Sequence, residues 1–174
     1  AAVLTSLFFS LIFGKLIIKF LSDLQPSGQP IRSDGPESHI FKKAGTPTMG
    51  GILILTSIIV SFLLWSKLSN IFVWICLFSC ISFGFIGFID DYKKIYNRNS
   101  KGLNASTRII LQIFLIFLII FFIYKSLPNN LNTTLFFPFF KNLFFDFGIF
   151  FIVFGMFVVI GSANAVNLTD GLDG

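Results

Sequence analysis

Residues 109–124 read IILQIFLIFLIIFFIY. The run is apolar around the whole circumference of a helix, as a lipid-bathed segment should be. A strand reading fails, because a transmembrane barrel needs segments of about 10 residues that alternate in polarity, and this run does not alternate. A helix needs roughly 20 apolar residues to cross about 30 Å of hydrocarbon. Working outward, four more runs reach or approach that length: Ala2–Leu21, Gly50–Trp65, Ile71–Ile89 and Phe147–Val166. The expected fold is therefore an all-α, polytopic membrane bundle forming one membrane domain over residues 1–174.

Composition agrees. Hydrophobic residues make up 55% of the chain and charged residues 12%, about half the charge of a soluble domain. The aromatic content is carried by 26 Phe; with abundant Ile, Lys and Asn it resembles the codon bias of an AT-rich genome, and these rings read as lipid-facing or core. Cys76 and Cys80 lie on one face of an apolar run and lack the further ligands of a metal site. The chain opens on Ala-Ala, and no basic stretch or clear cleavage site marks its first apolar run. A signal peptide is not expected; truncation at both ends is.

The connections sort by charge. Residues 22–49 and 90–108 and the tail 167–174 share one side, with Arg32, Lys42, Lys43, Lys93, Lys94, Arg98, Lys101 and Arg108, and with Lys15 and Lys19 near the membrane face. The other side holds Lys67, Lys125 and Lys141. The positive-inside rule places the first side in the cytoplasm. The net charge of +5 is thus mainly an orientation signal, and a nucleic-acid partner would need a soluble basic domain that the chain lacks.

The polar peculiarities gather on that side. Asp90 and Asp91 directly follow GFIGFI, at the expected C-terminus of the third span, where the helix dipole disfavours carboxylates by roughly several tenths of a kcal/mol. A divalent cation or proton transfer would explain them; a charged stop signal offset by Lys93 and Lys94 is the plainer alternative. Asn164 and Asn167, then Asp170 and Asp173, recur at a spacing that makes a polar stripe if the chain is helical, and such groups are costly at membrane depth unless paired or facing water. In KKAGTPTMGG, Lys43, glycines and hydroxyls precede a helix start, which suits an anion such as phosphate; an ordinary turn and cap would also serve. His39 is the single histidine and cannot make a zinc site by itself. Carboxylates, amides, cations and a glycine-rich helix start at one lipid boundary suit Mg2+-assisted phosphoryl transfer between a lipid phosphate and a nucleotide compound.

Four stretches, QPIRSDGPESHIFKKAGTPTMGG (29–51), GFIDDYKK (87–94), KGLNA (101–105) and GSANAVNLTDGLDG (161–174), resemble in order and spacing the bacterial polyprenyl-phosphate sugar-1-phosphate transferases. The likeness is to those members that handle phospho-N-acetylmuramoyl-pentapeptide, and it covers essentially the whole chain. It implies transfer of that group from UDP-N-acetylmuramoyl-pentapeptide to undecaprenyl phosphate, with lipid I and UMP as products of this step in peptidoglycan synthesis. It further implies Mg2+, residence in the bacterial cytoplasmic membrane and a homodimer.

Carried onto matching positions, Asp90 and Asp91 are the catalytic pair, one of them a base for the lipid phosphate and both candidates for the metal. Asn164, Asn167, Asp170 and Asp173 would line the nucleotide-sugar pocket with Lys43, Thr48 and Lys94. Arg108 stands where many relatives carry Lys, a cation of different geometry. Such proteins have about ten transmembrane helices, so the chain reads as the first half. Their later metal-binding aspartate and histidine-rich loop would lie outside it, and residues 1–174 alone are expected to be inactive. Two alternatives stand beside this reading. One is a sister enzyme transferring an N-acetylhexosamine-1-phosphate. The other is an ion-coupled transporter, which would place its acidic residues near mid-membrane rather than at one face.

Overall fold

The computed structural model describes residues 1–26, 28, 47–99, 101–128, 132–137, 139–140 and 142–173, with side chains through residue 167. Five helices are found among them: α1 (Ala2–Leu24), α2 (Gly51–Trp65), α3 (Ile71–Tyr96), α4 (Ala105–Ser126) and α5 (Phe150–Asp173). Four contain stretches long and apolar enough to cross a bilayer, in α1, α3, α4 and residues 150–167 of α5. Large apolar side chains such as Leu11, Ile54, Phe85, Phe114 and Phe157 remain exposed along them, which suits lipid rather than water as the surrounding medium. The protein is a multi-pass membrane protein.

The chain divides into two units, residues 1–108 and 109–174. In the first, α1 packs on α2 and α2 on α3. The Trp65 indole N–H donates to the Thr5 hydroxyl at 2.9 Å, and Gly14 faces Leu53, so α1 and α2 run antiparallel. Leu55 presses on Gly84, where a Cβ would come within 2.6 Å of its methyl carbon. Small residues at such contacts are how membrane helices approach closely without a hydrophobic driving force. Ser57 and Ser61, also small, are buried in α2.

Most helices run past the expected spans, whereas α2 keeps its expected bounds to within one residue. The second element is a helix of 15 residues, about 22 Å long and short of about 30 Å of hydrocarbon. Pro47 and the positive φ of Met49 (70°) keep it from starting earlier. Asn70 caps α3 by accepting the Phe72 N–H at 3.0 Å. At its other end α3 does not stop at Ile89 but continues to Tyr96, so the aspartate pair lies inside the helix. Lys93 and Lys94 in its last turn suit the negative end of the dipole. Arg98, with φ 49°, follows as the turn.

In the second unit, α5 lies antiparallel to α4: Gln112 meets Asn164, and Ile120 meets Gly155, where an added Cβ would fall 2.9 Å from the Ile120 methyl carbon. The helix continues through the stretch expected as a tail, to Asp173. Between α4 and α5 the chain forms an antiparallel ribbon of β1 (Thr134–Phe136) and β2 (Phe144–Asp146), with Leu135 opposite Phe145. This ribbon was not anticipated. Three of its six residues are Phe and one is the β-branched Thr134, types that favour strands.

Candidate active site

Successive turns of α3 place three charged side chains together. Lys94 stands four residues after Asp90 and three after Asp91, the spacings at which helical side chains meet. Its ammonium lies 2.6 Å from Asp90 Oδ2 and donates to Asp91 Oδ1 at 2.9 Å. One cation thus bridges both carboxylates, which offsets their mutual repulsion and the unfavourable dipole.

Each carboxylate has a second donor from elsewhere in the first unit. The Leu103 backbone N–H donates to Asp90 Oδ1 at 2.7 Å. The Thr48 hydroxyl donates to Asp91 Oδ2 at 2.8 Å. All four oxygens therefore accept a bond, as buried charge requires. The two are not equally open, for the Asp90 side chain is 12% exposed and that of Asp91 26%. Asp91 is the more open of the two.

Thr48 is itself held. The Gln25 side chain, just past the end of α1, accepts the Thr48 N–H at 2.9 Å and donates to the Thr48 carbonyl at 3.3 Å. Gly102 lies against Asp90 so closely that any Cβ there would overlap the carboxylate. Near the start of α4, Arg108 has its Nε shut from solvent and, among the described residues, without a hydrogen-bond partner.

The structure thus gathers Thr48, Asp90, Asp91 and Lys94 of the expected residues. Lys43 lies outside the described residues, as do the side chains of Asp170 and Asp173, whose backbone is helical. Asn164 belongs to the second unit, where its amide donates to Gln112 Oε1 at 2.8 Å and to the Ile160 carbonyl at 2.9 Å. Asn167 is exposed. Sequence reasoning missed Gln25, Gly102, Leu103 and Gln112. Only Gln112 carried a signal, a lone amide in the apolar run 109–124 that demanded a partner. Among the described residues no three acidic, histidine or cysteine side chains converge.

Comparison with known proteins fits this geometry. Residues 72–174 match the profile of the family described as glycosyl transferase family 4. Residues 43–55, which include Thr48, match signature 1 of phospho-N-acetylmuramoyl-pentapeptide-transferase. Proteins of that name from Rickettsia felis and Rickettsia akari are each 54% identical to the chain over 173 residues, and one from Rickettsia prowazekii is 52% identical over 173. Each alignment covers 99% of this chain and 47% of the relative, so the chain spans about half the length of the curated relatives it matches. The matched profile takes in Asp90, Asp91, Lys94 and Gly102 and more than half of all residues, and the chain belongs to glycosyl transferase family 4.

Proposed function

We propose that the full-length protein transfers phospho-N-acetylmuramoyl-pentapeptide from UDP-N-acetylmuramoyl-pentapeptide to undecaprenyl phosphate, forming lipid I and releasing UMP. The names of its relatives support the reaction. The observation that carries it here is the Asp90–Asp91 pair, bridged by Lys94 at the end of a membrane-crossing helix and tied to the signature residue Thr48. Such a site stands where a lipid head group and a soluble nucleotide sugar can meet.

In this reading a phosphate oxygen of undecaprenyl phosphate attacks the phosphorus that bears the sugar. The bond from that phosphorus to the oxygen bridging to the uridylyl phosphate breaks, and UMP leaves with its electron pair. Asp91, the more open carboxylate, accepts the proton when the lipid phosphate arrives protonated. Thr48 and Lys94 hold it in place. Arg108, whose buried Nε–H has no partner among the described residues, would supply a cation for phosphate oxygen in this reading once its guanidinium turns outward. Mg2+ belongs to this reading as the group that, when bound, neutralises diphosphate charge. Among the described residues Asp91 has the accessible lone pairs to help hold it, and substrate phosphates would supply the rest.

The site face is cytoplasmic in this reading, in the bacterial inner membrane. Residues 1–174 alone are read as insufficient for turnover, since the relatives are about twice as long.

The test is UMP release by the full-length protein with lipid phosphate and Mg2+. Asp91→Asn and Asp90→Asn should each lower kcat by about 10²–10⁴-fold; unchanged rates would overturn the assignment. Offering UDP-N-acetylglucosamine in place of the muramoyl substrate separates the sister activity, which the signature match disfavours. UMP release without lipid phosphate would mark a covalent aspartyl intermediate in place of direct attack.

A further inference from the structure

Gln25 is 6% exposed, and a neutral amide tolerates such burial only when its polar atoms are bonded. Both are, and both to the same residue: Oε1 accepts the Thr48 N–H and Nε2 donates to the Thr48 carbonyl. A single side chain therefore satisfies the whole main chain of Thr48. Among the described residues few other restraints act there. Pro47 precedes it, Met49 follows with φ 70°, and the first turn of α2 begins only with the bonds from Ile52 to Met49 and Leu53 to Gly50.

The clamped residue is the one whose hydroxyl donates to Asp91 Oδ2. The other oxygen of Asp91 is held by Lys94. Two donors on two oxygens fix the plane of the carboxylate; with one released, rotation about χ2 is soft and broad. Orientation of a reacting group by about 1 Å is worth up to about 10²-fold in rate.

We infer that Gln25 is a positioning residue for Asp91, acting through Thr48. Its buried amide fixes the Thr48 main chain so that the hydroxyl stays on the carboxylate. The role rests on the reading of Asp91 as the base in the proposed transfer, and two measurements keep the two ideas apart.

The first needs no activity. In the full-length protein, Gln25→Met keeps the length of the side chain and removes both bonding groups. Amide exchange at Thr48 should quicken about tenfold on losing its acceptor; unchanged exchange would overturn the clamp. The second is kinetic. Gln25→Met should lower kcat about tenfold, with KM for the lipid phosphate within about twofold. In a Thr48→Val background the same substitution should cost nothing further, whereas in Thr48→Ser, which keeps the hydroxyl, it should retain its full effect. Equal losses in the Val and Ser backgrounds would mean a merely structural role and sink the inference. Gln25→Asn, too short to span both groups, should act in the same direction, so an unstable Met variant does not end the test. If the unaltered protein transfers nothing, the proposed reaction fails and the exchange measurement alone decides the clamp.

Discussion

Gly102 sits against Asp90 so tightly that a side chain there has nowhere to go. The contact lets the Leu103 N–H reach Asp90 Oδ1, so the glycine matters for the room it leaves rather than for its torsions. Gly102→Ala must move either the loop or the carboxylate, at about 1–3 kcal/mol by analogy with overpacked cores. Thermal unfolding of the detergent-solubilised protein should show the loss. The same change in an Asp90→Ala background should be nearly neutral, because the obstructing carboxylate is gone; a full penalty there would refute the explanation. At this scale the sequence was informative about the charged residues and silent about their holders. An aspartate pair after an apolar run is conspicuous, and Thr48 stands in a recognisable motif. Leu103 acts through its backbone, which every residue has, and Gln25 reaches a partner 23 positions away. KGLNA marked the segment that holds Leu103 but not its role, and nothing in the string marked Gln25.

Among the elements, α4 and α5 meet through a polar contact and a close approach of described residues. Gln112 is buried and receives the Asn164 amide, while Gly155 makes way for Ile120. Both amide hydrogens of Asn164 are spent on Gln112 and Ile160, so only its carbonyl oxygen is left for a ligand. Gln112→Leu should weaken the pairing of the two helices by about 0.6 kcal/mol, the average for such bonds in a membrane protein, and by no more than about 1.7 kcal/mol. A cycle with Asn164→Leu, read by unfolding in bicelles, isolates that coupling; strict additivity would argue against the bond.

The ribbon between these helices responds to acid instead. Thr133 donates its hydroxyl to Asp146, with the Gly148 N–H as a second donor, and together they hold the carboxyl below its usual value of 3.8. The folded value being the lower one, this tie is complete above the unfolded pKa and is lost as pH falls through the folded one. The Gly148 amide resonance should therefore report loosening only below the ordinary aspartate range. Thr133→Val should raise the midpoint.

Over the whole molecule, the apolar runs disclosed the five helices, because length and polarity fix a membrane helix almost without reference to its neighbours. Helix ends were less legible. The apolar run stops at Ile89, yet α3 carries on through the aspartate pair to Tyr96, where Lys94 meets both carboxylates. The ribbon was hidden because a short polar–aromatic connection permits several conformations. Orientation remains open to direct measurement. The 26 residues of α3 span about 39 Å, so Lys67 and Lys101, on either side of it, should lie across the membrane from each other. With Cys76 and Cys80 replaced by Ser, Lys67→Cys should react with an impermeant maleimide in intact cells, and Lys101→Cys only after the membrane is opened. The reverse pattern would overturn the proposed orientation.

The brevity of α2 has a consequence for the surrounding lipid. Where Ile54 and Leu64, both exposed here, face acyl chains, those chains would meet an apolar wall about 8 Å shorter than an average bilayer is thick. The leaflet must thin or the wall must be screened, and thinning at the Thr48 end draws the phosphate plane inward toward Asp91. In the proposed reaction a long-chain lipid phosphate would then present its head group to the carboxylate without leaving the membrane, with the bilayer itself bent into part of the approach.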